Sequence, residues 1–452
     1  MKSVPEIIGM MRAAAPDGQA RLGEESLQRL RDLTRALITA KPDAVAEHAR
    51  FLAIGERALC LPEAALAARL GGRCVLVTGG TGCIGSALMG QLAARCPGRL
   101  VSVSRGVTGG WPRQAGAEYR YADIRDRGAL NALIGELSPD VVFHVAAQRD
   151  PGLAEADVHR TVSTNVLGAR NVLEAAAEAG VPQVVLASTG KALRPYSPDV
   201  YAASKRAAEW VASTFAASGE MLCAAGRFTH VLDNSIIYRR LRNWAALADG
   251  GVIRLHSPDI VFYVQSALES AQLLLLAVLG SAPGEFRVHA ITDLDWPVSL
   301  LDVALGVLAG TGSAAPVYVS GYDLGYEEVP FPGLYDPATA GEVSPLLNAF
   351  ETAARTGAPC PMTDTFVLGM APDPGPAKLL AALDEVCGRT RDPREVRAAL
   401  DELSWALLDA TLRAAPRRAL ARAAAVASSH RAALGPGHRR VLEAIRVHAD
   451  VG

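Results

Sequence analysis

Cysteine is scarce and unpaired in this 452-residue sequence, and that scarcity excludes two kinds of protein. The seven cysteines lie at positions 60, 74, 83, 96, 223, 360 and 387. They have neither the paired spacing of a zinc site nor the density of a disulfide-rich secreted domain. We therefore predict free thiols, a cytoplasmic location and no metal site.

A surplus of charge of one sign is also lacking, since 45 Lys and Arg residues face 47 Asp and Glu residues. The net charge of −2 gives no overall field that would attract nucleic acid or anionic lipid. The longest apolar run, residues 273–279, is far shorter than the roughly 20 residues that cross a bilayer. The start, MKSVPEIIGMMRAAAPDG, lacks the apolar core of a signal peptide. These absences predict a soluble protein with neither a nucleic-acid nor a membrane partner.

The hydrophobic half of the residues is enough for a large core, and its pattern changes along the chain. Residues 1–70 have apolar positions at helical spacing, which predicts a helical N-terminal extension. Residues 71–225 alternate short apolar strands such as CVLVTGG, LVSVSR, VVFHVAA and VVLAST with helices such as YAASKRAAEWVASTF. That order predicts an α/β fold with a doubly wound parallel sheet of the Rossmann type.

The remaining sequence is predicted to form two further segments. Residues 226–375 combine short strands, the helix SALESAQLLLLAVL and a loop-rich stretch from 321 to 375, and we expect them to bind the substrate. Residues 376–452 are rich in Ala, Leu and Arg, which predicts a helical C-terminal extension.

The stretch VLVTGGTGCIG, residues 75–85, is the strongest local signal. Its glycines follow a strand and open a helix, so the backbone can turn tightly and approach a dinucleotide pyrophosphate at the helix N-terminus. A glycine triplet alone is as often an ordinary turn, but this context favours a dinucleotide site. The predicted cofactor contacts are Gly79, Thr81, Gly82, Cys83, Ile84 and Gly85.

The next strand ends at Ser104 and Arg105, where an NAD site usually has an acidic residue for the ribose hydroxyl. An arginine there can pair with a 2′-phosphate instead, so we prefer NADP(H) over NAD(H). A solvated surface arginine is the alternative interpretation. Asp123 and Ile124 follow the next strand and are predicted to contact the adenine, although Asp123 can equally be a plain strand-end residue.

Tyr201 and Lys205 form the second signal, because four residues of separation place them on one helix face. A phenol is a poor base at neutral pH, but a nearby ammonium is expected to lower its pKa. Tyr201 would then exchange a proton with a substrate hydroxyl whose oxygen Thr189 holds. A bare YxxxK pattern is usually a surface helix pair, but its place downstream of the glycine turn favours catalysis.

Together these stretches resemble the extended short-chain dehydrogenase/reductases, and within them the polysaccharide-biosynthesis group of nucleotide-sugar 4,6-dehydratases and epimerases. The likeness covers roughly residues 50–350 and also includes DIRDRGALNALIGELSPDVVFHVAAQ, TNVLGARNVLEAAAEAGVPQVVLASTGKA and RFTHVLDNS. It implies oxidation of a sugar hydroxyl by bound NADP, loss of a proton or water from the neighbouring carbon, and return of the hydride. It also leads us to expect a homodimer.

We predict further contacts on the same basis. The additional cofactor contacts are Ala146, Ala147, Asn165 and Lys205. The substrate contacts are Gln148, His230, Asn234 and Arg242.

The sequence also departs from the family pattern beside the predicted site. Where the family reads Ser-Thr-Asp-Lys, this chain has Gly190 before Lys191, so the carboxylate implicated in dehydration is missing. Lys191 remains a candidate acid or base, but the stretch from it to Tyr201 is two residues longer than usual. Water elimination is therefore in doubt.

Three more departures fall in the predicted substrate segment. His230 replaces an asparagine, Phe262 replaces an arginine, and residues 323–327 replace a loop with two basic groups. The loss of cations suggests a substrate less anionic than a UDP-sugar, or one whose phosphates meet Arg239, Arg240 or Arg242. Those arginines can equally form a solvated helix face, and structural roles are the better interpretation for His230 and His144.

The leading hypothesis is an NADP(H)-dependent oxidoreductase acting on a sugar-like substrate, with epimerisation or dehydration as possible outcomes. One alternative is a one-way ketoreductase of secondary metabolism, which would consume its cofactor. The other is a non-catalytic NADP-binding protein whose helical ends bind a partner.

Overall fold

The computed structural model describes residues 2–95, 98–106, 110–194, 196–197, 199–247, 251–323, 343–370 and 373–450. They divide into two units. The first unit contains the described parts of 1–57, 230–267 and 294–324, and the second contains those of 58–229, 268–293 and 325–452.

The strands, in chain order, are β1 (Cys74–Thr78), β2 (Arg99–Ser104), β3 (Glu118–Tyr121), β4 (Val141–His144), β5 (Gln183–Thr189), β6 (Leu222–Phe228), β7 (His230–Val231), β8 (Ile253–Leu255), β9 (Val261–Phe262), β10 (Val264–Gln265), β11 (Arg287–Ile291), β12 (Val298–Ser299), β13 (Val317–Val319), β14 (Arg355–Thr356) and β15 (Thr363–Val367). The α-helices of the first unit are Val4–Ala14, Glu24–Ala40, Ala44–Ala53, Ile236–Ala246 and Leu300–Thr311. Those of the second unit are Glu63–Leu70, Cys83–Ala93, Arg127–Leu137, Pro151–Ala156, Val158–Val162, Gly168–Glu178, Val200–Ala217, Ala349–Thr352, Gly375–Arg389, Pro393–Ala414, Arg417–Ser429 and Pro436–Asp450, while Ala267–Gly280 begins at the boundary. A π-helical turn, Ser163–Leu167, precedes the helix Gly168–Glu178.

One nine-stranded sheet forms the centre of the second unit, in the order β14-β15-β11-β6-β5-β4-β1-β2-β3. The strands from β3 to β11 in this order are parallel, whereas β15 pairs antiparallel with β11 and β14 pairs antiparallel with β15. Val75, Leu76 and Val77 of β1 are fully buried, as expected for a strand covered on both faces. The chain order reverses at β1, which lies between β2 and β4, and ligands of such sheets bind at the carboxyl edge near that reversal. The expected doubly wound α/β fold is confirmed.

The predicted loop-rich stretch from 321 to 375 contains regular structure that the sequence did not reveal. Residues 324–342 lie outside the described residues, but β14, β15 and a short helix follow them. Asp364 and Thr365 of β15 are polar yet buried, because Ser344 N donates to Asp364 at 2.6 Å and Thr365 Oγ1 lies 2.8 Å from His289 Nδ1. Polar residues satisfied in this way hide the strand from a hydrophobicity pattern.

The four C-terminal helices belong to the second unit. Arg170 Nη2 lies 2.6 Å from Asp384 Oδ2, and His159 Nε2 lies 3.0 Å from the Cys387 carbonyl oxygen. The last three helices share a small core with Phe350. The helical character predicted for 376–452 is therefore present in the described residues. Within the second unit, these helices contact the helices Val158–Val162 and Gly168–Glu178.

In the first unit, the N-terminal helices share a core with the helix Leu300–Thr311 and with β8 and β13. Thr34 Oγ1 accepts a hydrogen bond from Val317 N at 2.9 Å, and Tyr318 donates to the Pro16 carbonyl at 2.8 Å. The first unit thus combines most of the predicted N-terminal extension, 1–70, with parts of the predicted substrate segment, 226–375. Apolar periodicity marks the buried face of a helix but does not show which later segment covers that face. Within the described residues, no helix combines the length and the apolar character that a membrane span needs.

Candidate active site

The glycine turn after β1 is closely packed on one side and open on the other. Gly79 has a φ of +77°, and a Cβ on it would lie 2.7 Å from Ala146 N. A Cβ on Gly85 would lie 2.1 Å from the Gly79 carbonyl oxygen. Gly82 is exposed, and a Cβ there would meet only the Gly79 oxygen, at 3.3 Å. Glycine is therefore required at 79 and 85 by the protein itself, whereas Gly82 leaves room for a ligand.

Gly82 is also the N-cap of the helix Cys83–Ala93, and no side chain among the described residues caps this N-terminus. The first backbone N–H groups of a helix and its dipole favour an anion. The turn lies at the carboxyl edge of the sheet beside the strand reversal, which fits the pyrophosphate of a dinucleotide. Thr81 and Cys83 are buried and Ile84 is half-buried around this turn.

The predicted adenine side carries two arginines. Ser104 ends β2 and Arg105 is exposed directly after it. Arg125 Nη2 lies 2.6 Å from Asp123 Oδ2, and this hydrogen bond holds the pKa of Asp123 below its usual range, with a smaller contribution from the charge of Arg105. Ile124 is buried. Arg125 thus neutralises Asp123, which leaves Arg105 as an exposed cation after β2.

Asn165 and Gln148 are tied to the protein. Asn165 Nδ2 donates to the Gln148 carbonyl at 2.9 Å and to Ser204 Oγ at 3.0 Å, and its Oδ1 accepts from Gln148 N at 2.8 Å. The Gln148 side chain is bonded in turn to the backbone of Asp150. These bonds fix the segment after β4, which contains Ala146 and the exposed Ala147, against the helix Val200–Ala217.

The side chains of Thr189 and Tyr201 lie close enough to interact. Burial raises the pKa of Tyr201 to about 12; the interaction with the Thr189 hydroxyl opposes this rise, and the Asp199 carboxylate adds to it. The pKa shift is therefore opposite in direction to the lowering expected from the YxxxK pattern.

Lys205 explains this difference. Its Nζ donates to the Ala187 carbonyl oxygen at 2.7 Å, and only 7% of the residue is exposed. Burial lowers the pKa of Lys205 to about 8, although the Glu209 carboxylate favours the charged form. The ammonium is thus directed to the end of β5, and the surroundings of Tyr201 set the pKa of that phenol.

Lys191 and Asp199 form an ion pair beside Tyr201. Lys191 Nζ lies 2.6 Å from Asp199 Oδ2 and 6.0 Å from the centroid of the Tyr201 ring. Asp199 is also the N-cap of the helix that carries Tyr201, because its Oδ1 accepts from Ala202 N at 3.0 Å. Sequence reasoning missed Asp199. Its position as an acidic N-cap just before the YxxxK pattern is the signal that could have found it.

His144 lies beside the start of the glycine turn and feels the charge of Lys205. Its Nδ1 lies 2.8 Å from Thr78 Oγ1, in the residue before Gly79. Burial and the nearby charge of Lys205 lower the pKa of His144 to about 3. A neutral, hydrogen-bonded histidine fits the structural role expected for it.

The predicted substrate residues His230, Asn234 and Arg242 all belong to the first unit, whereas the residues above belong to the second. His230 Nε2 lies 2.6 Å from Ser235 Oγ, and its ring is 5.0 Å from that of Phe262. Asn234 ends the 3₁₀ turn Leu232–Asn234, and Arg242 is exposed on the helix Ile236–Ala246.

Two other expectations concern the loop 323–327 and a metal site. Of residues 323–327 only Asp323 is described, and its Oδ2 lies 3.1 Å from His256 Nε2. In the part of the chain that the structure describes, no three His, Cys, Asp or Glu side chains are grouped so as to hold a metal ion.

Residues 75–315 match the family model described as polysaccharide biosynthesis protein. The probable polysaccharide biosynthesis protein EpsC of Bacillus subtilis is 27% identical over 293 residues, which are 62% of this chain and 46% of that protein. The capsular polysaccharide biosynthesis protein CapD of Staphylococcus aureus is 27% identical over 271 residues, 57% of this chain and 44% of that protein. The UDP-N-acetylglucosamine 4,6-dehydratase (inverting) of Campylobacter jejuni is 30% identical over 141 residues, 30% of this chain and 41% of that protein. The chain thus spans less than half the length of these relatives.

Solved structures show the same fold. Pen from Bacillus thuringiensis has a TM-score of 0.57 at 19% identity, over 67% of this chain and 90% of that one. The epimerase Mth375 from Methanothermobacter thermautotrophicus has a TM-score of 0.50 at 22% identity, over 58% of this chain and 85% of that one. The likeness expected from the sequence motifs is confirmed.

Proposed function

Because this chain belongs to the polysaccharide biosynthesis protein family, we propose that it is an NADP(H)-dependent oxidoreductase that acts on a sugar hydroxyl or ketone, with a nucleotide sugar as the preferred substrate class. Relatives named as a UDP-N-acetylglucosamine 4,6-dehydratase and a dTDP-L-rhamnose 4-epimerase support this substrate class.

The observation that carries the proposal is the Thr189–Tyr201 hydroxyl pair at the carboxyl edge of the sheet. The strands β5, β4 and β1 are neighbours, so their ends meet at this edge together with the glycine turn. Thr78, the residue before the turn, is hydrogen-bonded to His144, and the charge of Lys205 acts on the same histidine. Acid–base groups and a dinucleotide cradle on one sheet edge are what hydride transfer to or from a hydroxyl requires.

A bound nicotinamide dinucleotide would supply the hydride acceptor and donor. Gly82 and the helix N-terminus after it would hold the pyrophosphate, with Gly79 and Gly85 shaping the turn. Arg105, exposed directly after β2, favours a 2′-phosphate, which is the reason for preferring NADP(H).

Tyr201 acts as the proton donor and acceptor for the substrate oxygen, and Thr189 holds that oxygen. With its pKa near 12, Tyr201 is protonated at neutral pH and is ready to protonate a carbonyl oxygen being reduced. Oxidation of a hydroxyl needs the phenolate, so the rate in that direction rises with pH. Lys205 would orient the cofactor ribose, and its pKa near 8 makes its charge sensitive to mildly basic pH.

The Lys191–Asp199 pair is a second acid–base candidate beside the ring of Tyr201. With Gly190 in place of the carboxylate that the family uses in dehydration, we propose hydride return with epimerisation as the leading outcome. Elimination of water would have to use Asp199 or Lys191.

The missing cations in the predicted substrate segment make free sugars and other less anionic sugar derivatives the second substrate class to test.

The test is incubation of the purified chain, with added NADP⁺ or NADPH, with UDP-sugars, dTDP-sugars and free sugars. Product mass reports loss of water or of two hydrogens, NMR reports inversion at constant mass, and nicotinamide absorbance separates returned hydride from consumed hydride. Net consumption would identify the one-way ketoreductase. A wild-type protein that binds NADPH but exchanges hydride with no member of the panel would overturn the enzymatic proposal.

We also propose that the protein works in the cytoplasm as a homodimer, as the family likeness implies. Light scattering on the purified chain tests the assembly, and a mass equal to one chain would contradict it.

A further inference from the structure

The segment that joins Thr189 to Tyr201 is held by residues far along the chain. The ring of Tyr196 stacks on Trp405, with centroids 4.1 Å apart and an angle of 26° between the planes. The Tyr196 hydroxyl donates to Asp401 Oδ1 at 3.1 Å. Arg440 places its guanidinium carbon 3.8 Å from the centroid of the same indole. The middle of the segment is thus held by aromatic, polar and cation–π contacts to the C-terminal helices.

A second contact reaches the end of the segment. Glu155 Oε1 accepts a hydrogen bond from Val200 N at 2.9 Å, and Glu155 Oε2 is paired with Arg397. Val200 is the first residue of the helix that carries Tyr201, so this bond satisfies one of the free N–H groups of its first turn. Only 6% of the Glu155 side chain is exposed. Arg397 lies on the same helix as Trp405. Its ion pair therefore fixes the buried carboxylate of Glu155, which accepts the hydrogen bond from Val200 N.

The third contact lies near Lys191. Asn348 is fully buried, and its Nδ2 donates to the Leu193 carbonyl oxygen at 2.5 Å. Asn348 also caps the short helix containing Glu351, whose carboxylate binds Arg227 at 2.7 Å. That ion cluster meets the helix Pro393–Ala414 as well, through Arg206 and Thr411 at 3.1 Å.

Glu155 lies inside the matched family region, 75–315, but the other residues of these contacts follow it: Asn348, Arg397, Asp401, Trp405 and Arg440. The segment they hold contains Lys191 and Asp199, the ion pair beside the Tyr201 ring. Nothing in the proposed chemistry explains an aromatic stack and a buried carboxylate bridge at this place. Their common effect is to hold one segment of the site.

We propose that Trp405 is a positioning residue of the active site, with Arg397 acting beside it. The helix Pro393–Ala414 fixes the described residues between Thr189 and Tyr201, namely 190–194, 196–197 and 199–200, and so fixes Lys191 and Asp199 relative to the hydroxyl of Tyr201. The effect on turnover rests on the proposed function, whereas the holding of the segment rests on the contacts alone. The C-terminal extension would then help to position groups of the active site.

The experiment uses the full chain with Trp405→Ala, the conservative Trp405→Phe, and Val447→Ala as control, since Val447 is exposed on the last helix. Hydrogen–deuterium exchange is followed in peptides covering 190–201 and in peptides of β1 and β4. We expect Trp405→Ala to raise exchange in 190–201 by about tenfold or more with β1 and β4 unchanged, and Trp405→Phe and Val447→Ala to match wild type. Should Trp405→Ala unfold, Tyr196→Leu removes the other half of the stack and must give the same local increase.

Turnover provides the second readout, because small displacements of acid–base groups reduce kcat more than substrate affinity. For a substrate that wild type converts, Trp405→Ala should lower kcat by about tenfold or more and leave KM and cofactor affinity within about twofold of wild type. In Trp405→Phe, kcat should return to the wild-type value. Wild-type exchange over 190–201 in Trp405→Ala and Tyr196→Leu overturns the proposal, as does increased exchange with unchanged kcat. If wild type converts no substrate, the proposed function fails, and the exchange data still decide whether this helix holds the segment.

Discussion

Asp199 holds Lys191 beside the phenol of Tyr201, with Asp199 Oδ2 at 2.6 Å from Lys191 Nζ and that nitrogen 6.0 Å from the centroid of the Tyr201 ring. The same carboxylate caps the helix that carries Tyr201 and adds to the raised pKa of its hydroxyl. One side chain thus caps the helix, holds an ammonium in place and adds to the effect of burial on the pKa of a phenol.

These three effects can be separated with Asp199→Asn. Asparagine keeps the N-cap bond but removes the negative charge. Because that charge raises the pKa of Tyr201, its loss should lower the pKa, and the rising limb of the oxidation rate should shift to lower pH. The measurement is kcat/KM against pH in the oxidation direction. Asp392→Asn, at the N-cap of the helix Pro393–Ala414, is the matched control, and superimposable profiles for Asp199→Asn and wild type would contradict the prediction.

Tyr201→Phe should lose turnover while keeping the cofactor. General acid–base groups contribute about 10²–10⁴-fold, so kcat should fall by that amount, with the Kd for NADPH within about twofold of wild type. Stopped assays give kcat and NADPH fluorescence gives Kd. Tyr119→Phe is the control. Tyr119 lies on β3, at the end of the sheet order, and its hydroxyl accepts a hydrogen bond from Gln114 N. Wild-type turnover in Tyr201→Phe would remove that residue from the mechanism.

Gly82→Ala tests whether the glycine turn after β1 binds a dinucleotide, and it leaves the packed glycines Gly79 and Gly85 unchanged. The new methyl group meets only the Gly79 carbonyl at 3.3 Å, so the fold should survive while the open side of the turn is blocked. NADPH affinity should fall by about tenfold or more, since the backbone can no longer approach the pyrophosphate. Gly135→Ala, with open space around its Cβ, serves as control. Equal affinities in both variants and wild type would place the ligand elsewhere.

Arg105→Asp addresses the choice between the two cofactors. Losing a charge-assisted bond to a 2′-phosphate costs about 1.5–3 kcal/mol, so the preference for NADP(H) over NAD(H) should fall by about 10–100-fold. The ratio of the two Kd values, measured by fluorescence titration, checks this. Arg418→Asp, on an exposed face of the C-terminal helices, controls for net charge. An unchanged ratio would mean that Arg105 is the solvated arginine of the alternative interpretation.

Much of the fold was predictable because its signals are local. The apolar run of β1 and the glycines after it are contiguous in sequence, and the short length of the run together with those glycines indicates a buried strand. The pairing of Thr189 with Tyr201 was predictable for a similar reason, since one ends a strand and the other opens the next helix.

What escaped prediction depends on residues distant in sequence. The pKa of Tyr201 rises because of burial, which no spacing of Tyr and Lys can report. The stack of Tyr196 on Trp405 joins residues that are far apart in the sequence. The strand β15 was missed because its buried Asp364 and Thr365 are satisfied by partners that only the fold brings near.

His289 provides a prediction that does not depend on any activity. Its ring is fully buried, with Nδ1 at 2.8 Å from Thr365 Oγ1, and burial together with Arg287 lowers its pKa to about 3; His144 has a similarly low value. Between about pH 6.5 and 3 the unfolded chain therefore binds more protons than the folded one, so stability is complete above that window and falls as the pH falls through it.

Each histidine should cost about 2 kcal/mol of unfolding free energy between pH 6.5 and pH 5, at about 1.4 kcal/mol for each pH unit. His289→Asn can keep an acceptor for Thr365 while removing the titrating ring, so about half of this acid loss should disappear. Urea unfolding at pH 7 and pH 5 measures it, with the exposed His430→Asn as control. The same loss of stability in His289→Asn as in wild type would mean that the His289 ring is protonated in the folded chain with its ordinary pKa, and burial would then not be the cause of the acid sensitivity.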